Sequence, residues 1–253
     1  MRAALPVDMQ GNLFEIFAAV VGLCVGSFTN VAAHRLSIGQ SIVSPPSYCP
    51  NCETRLRWRD MIPVISWMFL RGQCRYCKVS IHRRYPIVET IGAILFVLIA
   101  RVTGAAIAVV PLWCLAFVLL CVAVVDWETM EIPDVLLALG AVAGLAWVGL
   151  PLSGLSWPDA LFGVAAGALP LFLLDRLVWM TAKKPAFGFG DVKLMAMAGL
   201  FIGWQGMWAA YFIAFVSGGL FGAVLLLTGR AKRGSYLAFG PFLCLGILVA
   251  LLF

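Results

Sequence analysis

Most of this chain is made of apolar runs long enough to cross a lipid bilayer, and that limits its fold more than any other feature. Crossing about 30 Å of hydrocarbon takes about 20 helical residues, because backbone N–H and C=O groups cannot be left unpaired in lipid. Such runs fall near 12–33, 85–102, 105–125, 133–150, 159–180, 191–206, 207–228 and 236–253. The 253 residues are 62% hydrophobic and only 12% charged, about half the charge of a soluble domain. The expected fold is an all-α polytopic membrane protein with about eight transmembrane helices. The first run ends in the polar stretch "GSFTNVAAHRL" with no small-residue cleavage site close behind, so it is expected to stay in the mature protein.

Charge orients the bundle. Of the 18 Lys and Arg, nine lie between Arg35 and Arg84. Alternating the eight spans from there puts Arg176, Lys183, Lys184, Lys193, Arg230, Lys232 and Arg233 on the same side, leaving Arg2 and Arg101 opposite. Cytosolic loops carry the excess of basic residues, so the 35–84 segment is expected in the cytosol and both termini outside. The net charge of +6 would suit a nucleic-acid partner. Beside a membrane, topology and anionic headgroups account for it more simply, so membrane lipids are expected as partners and nucleic acid is not. The expected organisation is a first transmembrane helix (1–34), a cytosolic loop (35–84) and a transmembrane bundle (85–253). Four G-x-x-x-G pairs, Gly140/Gly144, Gly163/Gly167, Gly199/Gly203 and Gly218/Gly222, mark places where helix backbones can approach closely.

The cytosolic loop holds two C-x-x-C pairs, Cys49/Cys52 and Cys74/Cys77. Their spacing suits tetrahedral thiolate coordination of zinc, and a four-Cys site leaves no open position, so the metal would be structural. Disulfides are the competing reading, disfavoured in a reducing compartment. Cys24, Cys114, Cys121 and Cys244 lie in apolar spans and read as small hydrophobes.

The twelve acids are unevenly spread: Glu89, Asp126, Glu128, Glu131, Asp134, Asp175 and Asp191 all fall near the cytosolic ends of spans. Asp134 follows Pro133, where proline suits a first helical turn and an acid suits a helix N-terminus. Asp191, in "FGFGDVKL", could cap the helix that follows it. Asp126 ends an apolar helix, where the dipole disfavours an anion. The sharper reading pairs Asp126 with Asp191 as a catalytic dyad, one carboxylate activating a water and the other protonating the departing amine. Gly188 and Gly190 would let the chain turn sharply and a substrate backbone come close. Glu128, Glu131 and Asp134, beside Asp126 and without a nearby Lys or Arg, form an acidic face for a basic substrate segment. Asn30, Ser27 and His34 make a polar stripe expected to face the bundle interior, and Lys193 is expected to snorkel to the headgroups. Carboxylates in spans also suit a transporter or proton channel, though such a protein would hold them near the bilayer midplane.

Together "GSFTNVAAHRL", the two C-x-x-C pairs, "YPIVETIG", the aspartate ahead of "WETMEIPD", and "FGFGDVKL" resemble, in order and spacing over nearly the whole chain, the bacterial prepilin peptidases, GxGD-type aspartic proteases of type IV pilus and type II secretion systems. The resemblance implies cleavage of a short basic leader from prepilins or pseudopilins at the cytosolic face of the bacterial inner membrane. It also implies N-methylation of the new first residue with S-adenosylmethionine as co-substrate. Carried over by motif, Asp126 and Asp191 are the catalytic aspartates, and Cys49, Cys52, Cys74 and Cys77 fall on the zinc positions of the bifunctional members. No G-x-G-x-x-G or other familiar nucleotide loop is visible for the methyl donor, which leaves the neighbourhood of the cysteine loop and Glu89.

Overall fold

The structure is a computed structural model that describes residues 7–42, 44, 46–104, 107–183, 187–230 and 237–253. Arg2, Lys184, Lys232 and Arg233 of the charge count lie outside the described residues. The chain divides into two compact units, Met1–Val109 and Val110–Phe253. The helix at Arg84–Thr103, grouped by sequence with the later bundle, belongs to the first unit.

In that unit α1 (Val7–Ser37) packs along α3 (Arg84–Thr103). Glycine makes the seam possible. A methyl group on Gly22 would sit 2.5 Å from the Gly92 carbonyl oxygen, and one on Gly26 would sit 2.6 Å from the Glu89 Cα. Gly22 and Gly26 are thus a fifth G-x-x-x-G pair, and a functioning one. Asn30 is fully enclosed and its Nδ2 donates to the Tyr85 carbonyl at 3.3 Å. His34, expected on the same inward stripe, is exposed. The two helices run antiparallel, with Asn30 level with Tyr85 in the first turn of α3.

Between these helices lie a 3-10 turn (Trp58–Asp60), the short α2 (Ile65–Phe69) and two cysteine knuckles. The knuckles repeat one another. Each is closed by an isolated antiparallel bridge, Tyr48 with Arg55 and Gln73 with Ser80. In each, the residue after the second cysteine has a positive φ, 54° at Glu53 and 62° at Lys78, and donates its N–H to the first cysteine's carbonyl.

The second unit contains α4 (Val109–Thr129), α5 (Asp134–Val148), α6 (Trp157–Ala182), α7 (Phe189–Leu227) and α8 (Gly240–Leu252). α7 packs on α5, α6 and α8. Its contact with α6 is antiparallel and backbone-close. A methyl on Gly167 would collide with the Met195 carbonyl, and one on Gly163 with those of Gly199 and Gly203, so two of the predicted G-x-x-x-G pairs face each other. At Gly203 (φ 61°, ψ 179°) the helix breaks, in a backbone region essentially reserved for glycine. The chain then doubles back: Met195, before the break, and Tyr211, after it, both reach Gly167, the latter by donating its hydroxyl to the Gly167 carbonyl. The reversal lies at Gly203, slightly before the expected boundary between 191–206 and 207–228.

Among the described residues, five helices are long and apolar enough to cross a membrane: Gly11–Leu36, Arg84–Thr103, Val109–Thr129, Trp157–Thr181 and Phe189–Leu227. The chain is therefore a multi-pass membrane protein by length and composition. The apolar α5 and α8, at 15 and 13 residues, are shorter than the roughly 20 needed to span alone.

Candidate active site

Asp126 sits one turn before the end of α4, which stops because Met130 turns left-handed (φ 55°) and donates its N–H to the Asp126 carbonyl at 2.9 Å. Proline at 133 then occupies the N-cap of α5, one position ahead of the expected first turn, and Asp134 opens that helix. The Asp126 side chain is 5% exposed, and its Oδ2 accepts the N–H of Gly240 at 2.8 Å. Gly240 is the first residue of α8. The carboxylate that the sequence placed at the wrong end of its own helix is thus compensated by the N-terminus of another. A methyl group on Gly240 would lie 2.7 Å from that same oxygen, so any side chain here must displace the carboxylate.

Asp191 is the third residue of α7 and is 7% exposed. Its Oδ2 accepts the Gly188 N–H at 3.1 Å, so it does cap this helix, which starts at Phe189 rather than Val192. Neither Gly188 nor Gly190 has a positive φ, so the expected sharp turn is not why they are glycine. Gly190 instead makes room for Ile132, whose Cβ would be 2.9 Å from an added methyl.

Asp126 and Asp191 line one cavity of about 300 Å³, walled also by Met130, Glu131, Ile132, Asp134, Gly188, Phe189, Gly190 and Lys193. Two buried carboxylates facing a shared cavity next to water-accessible helix ends can share a proton and polarise a water. Of the acidic face predicted from sequence, Glu131 and Asp134 reach this cavity, while Glu128 is exposed and absent from its walls. Asp134 also has a cation after all: Lys193 Nζ lies 2.7 and 2.9 Å from its two carboxylate oxygens and 5.1 Å from the Phe189 ring centroid. The packing of α5 on α7 brings together residues 59 positions apart. Lys193 is therefore an ion-pair partner on the cavity rim, not a free snorkelling lysine.

In the first unit the ligand atoms of Cys49, Cys52, Cys74 and Cys77 all lie within 4.8 Å of one another. Cys49 and Cys77 are 3.8 Å apart between sulfurs, the edge expected of a tetrahedron with metal–sulfur bonds of about 2.3 Å and far from a disulfide. Burial pushes the Cys49 thiol up to about 11. The other three sit below their ordinary value: Cys52 through the Thr54 hydroxyl, Cys74 through the Cys77 N–H and Cys77 through the Val79 N–H. The four cysteines can hold a metal ion. Asp60 ties the two halves of this loop: it is partly desolvated, but Arg75 at 2.5 Å, the Arg57 N–H and the Tyr76 hydroxyl hold it below the usual carboxylate range.

Comparison with known proteins assigns both units. Residues 20–103 match the Bacterial Peptidase A24 N-terminal domain and residues 113–223 the Type IV leader peptidase family. The chain is 34% identical over 266 residues to the prepilin leader peptidase/N-methyltransferase of Stutzerimonas stutzeri, covering 94% of this chain and 90% of that one. The chain belongs to the type IV leader peptidase family. Similar proteins of the same name occur in Pseudomonas aeruginosa (33% identity, 94% of this chain, 90% of the relative) and Myxococcus xanthus (39% over 222 residues, 87% of this chain, 66% of the relative). No solved structure matches.

Two features of this family member were out of reach of its sequence. Gly240 is signalled only as a Gly-Pro pair opening an apolar helix, with nothing to link it to an aspartate 114 positions away. The Lys193–Asp134 pair is equally silent, since neither residue has a helical-spacing partner.

Proposed function

We propose that this chain is a leader peptidase and N-methyltransferase. It removes a short basic leader from prepilins or pseudopilins at the cytosolic face of the bacterial inner membrane, then methylates the new N-terminus from S-adenosylmethionine. The observation that carries the hydrolytic reading is the pair of buried carboxylates, Asp126 and Asp191, delivered by α4 and α7 to one cavity. One member, ionised, takes a proton from the attacking water as oxygen bonds to the scissile carbonyl carbon. The other, protonated, gives its proton to the amine nitrogen as the C–N bond breaks. Gly240 and Gly188 each hold one oxygen of a carboxylate, which leaves the remaining oxygens for water and substrate. Glu131 on the rim favours a basic leader, with Asp134 beside it paired to Lys193, and Gly188 and Gly190 line the cavity next to Asp191 where the substrate would lie; Glu128 adds to the same acidic side farther out.

The orientation rests on the basic 35–84 loop and on the cation rule, and eight crossings follow if α5, α8 and both arms of α7 are counted with the other long helices. α5 and α8 would then cross in the shelter of neighbouring helices. The cysteine cluster supports a structural zinc ion held by Cys49, Cys52, Cys74 and Cys77, which would order the loop and take no part in hydrolysis. A channel or transporter is the weaker reading, because Asp126 and Asp191 lie at helix ends rather than mid-helix. The test is to incubate the purified chain in detergent with a prepilin and S-adenosylmethionine and to read product masses. Loss of the leader followed by gain of a methyl group is expected; an intact substrate with an active control enzyme would overturn the reading.

A further inference from the structure

The loop between α1 and α3 turns several large apolar side chains outward. Trp58 is 76% exposed, Met61 43%, Ile65 49%, Met68 65% and Phe69 85%. Ile65, Met68 and Phe69 stand at i, i+3 and i+4 on α2 and so share a face. That face cannot roll inward, because the other side of α2 is occupied: Trp67 lies against Gly72 and its Nε1 donates to the Ile81 carbonyl at 3.2 Å. The helix is also pinned. Val64, its N-cap, is a β-branched residue at φ 60°, ψ −50°, a strained backbone that persists only when its surroundings fix it. Its N–H donates to Glu89 Oε2 at 2.6 Å, and Glu89 is buried.

Glu89 fixes the depth of this surface. It lies five residues into α3, about 7.5 Å along the axis from Arg84 at a rise of 1.5 Å per residue. α3 is one of the helices able to cross a membrane, so α2 is held level with the first turns of a crossing helix rather than out in the water. Arg55, Arg57, Arg59 and Arg71, all exposed, lie close in the chain to the apolar residues. Tryptophan, long apolar side chains and arginine in one patch are the composition that partitions into the headgroup layer, where apolar parts reach the acyl boundary and guanidinium groups meet phosphate.

We infer that Trp58, Met61, Ile65, Met68 and Phe69 insert into the interface of an anionic bilayer, with the flanking arginines on lipid phosphates, fastening the cysteine unit to the membrane at a third point besides α1 and α3. The strained Val64 is then the hinge that aims the patch. The test uses the full chain carrying the photoreactive benzoylphenylalanine at position 69, reconstituted in nanodiscs of phosphatidylethanolamine and phosphatidylglycerol and irradiated, with adducts read by mass spectrometry. Lipid adducts are expected, their yield dropping about fivefold for each of Arg57→Gln and Arg59→Gln. Adducts on residues 110–253, on a second copy of the chain, or none at all would overturn the inference, as would a yield indifferent to replacing phosphatidylglycerol by phosphatidylcholine.

Discussion

The two units each hold a polar cluster in a greasy chain, and they do so by opposite means. The cysteine cluster is local: all four thiols come from one stretch, each pair fixed by a closed knuckle whose hydrogen bonds run between near neighbours. The aspartate cluster is assembled. Asp126 depends on the end of α4 and on the start of α8, and Asp191 on the start of α7, so its geometry exists only when those helices have packed. A local site should fail piecemeal when altered, whereas an assembled one should fail at a touch from a distant residue.

The largest effect is expected at the assembled site. Asp126→Asn and Asp191→Asn should each lower the cleavage rate by roughly 10²- to 10⁴-fold, since an amide can be neither base nor acid, while methylation of a pre-cleaved substrate continues. Separate mass assays for leader loss and methyl gain check this. Cleavage within a few-fold of wild type in either variant would break the comparison at its centre. Gly240→Ala comes next. The added methyl must push the Asp126 carboxylate aside, at about 1–3 kcal/mol of overpacking, and misplacement near 1 Å can lower catalysis on the order of 10²-fold. The expected signature is a lower kcat with KM unchanged, and an equal loss of methylation would instead mean general unfolding.

At the local site, Cys49→Ser with Cys52→Ser should release the metal, because hard hydroxyls cannot replace thiolates, and should raise proteolysis within the 46–83 stretch. Methylation should fall more than cleavage if the loop shapes the methyl-donor site; a metal-free protein with normal methylation would detach the two. The smallest effect belongs to the rim. Neutralising Glu128, Glu131 and Asp134 together should raise the Michaelis constant and flatten its salt dependence, at about 0–1 kcal/mol per exposed charge. Asp134→Asn alone should matter least, since Lys193 already neutralises that carboxylate. Kinetics at low and high salt distinguish the cases, and a leader affinity indifferent to salt would remove electrostatics from recognition.

The same contrast governs how much the sequence discloses. The cysteine pairs are legible because spacing is the geometry: C-x-x-C and the bridges that close it are set within a few residues. The helices are legible because length and apolar composition decide them. Asp126 and Asp191 can be paired from sequence only by their sides of the membrane and by family resemblance, and what holds each is hidden. Asp126 looks misplaced until the α8 N-terminus is seen beside it. His34 misleads because helical period gives a face but not how much of that face is covered. Lys193 misleads because hydropathy reads a lone lysine near a span's end as solvated, whereas helix packing gives it Asp134.

The reversal at Gly203 has a consequence for biosynthesis. The two arms of α7 turn with no intervening loop, so the inserting machinery receives a single apolar stretch of 39 residues, which as one straight helix would reach about 58 Å. The positive-φ backbone at Gly203 is where that stretch turns back. A side chain there would do more than strain one turn: it would favour the straight helix and separate Gly240, which lies downstream, from the Asp126 carboxylate it holds. The hold on the Asp126 carboxylate therefore depends on one residue with no side chain, in a different helix from the aspartate it serves.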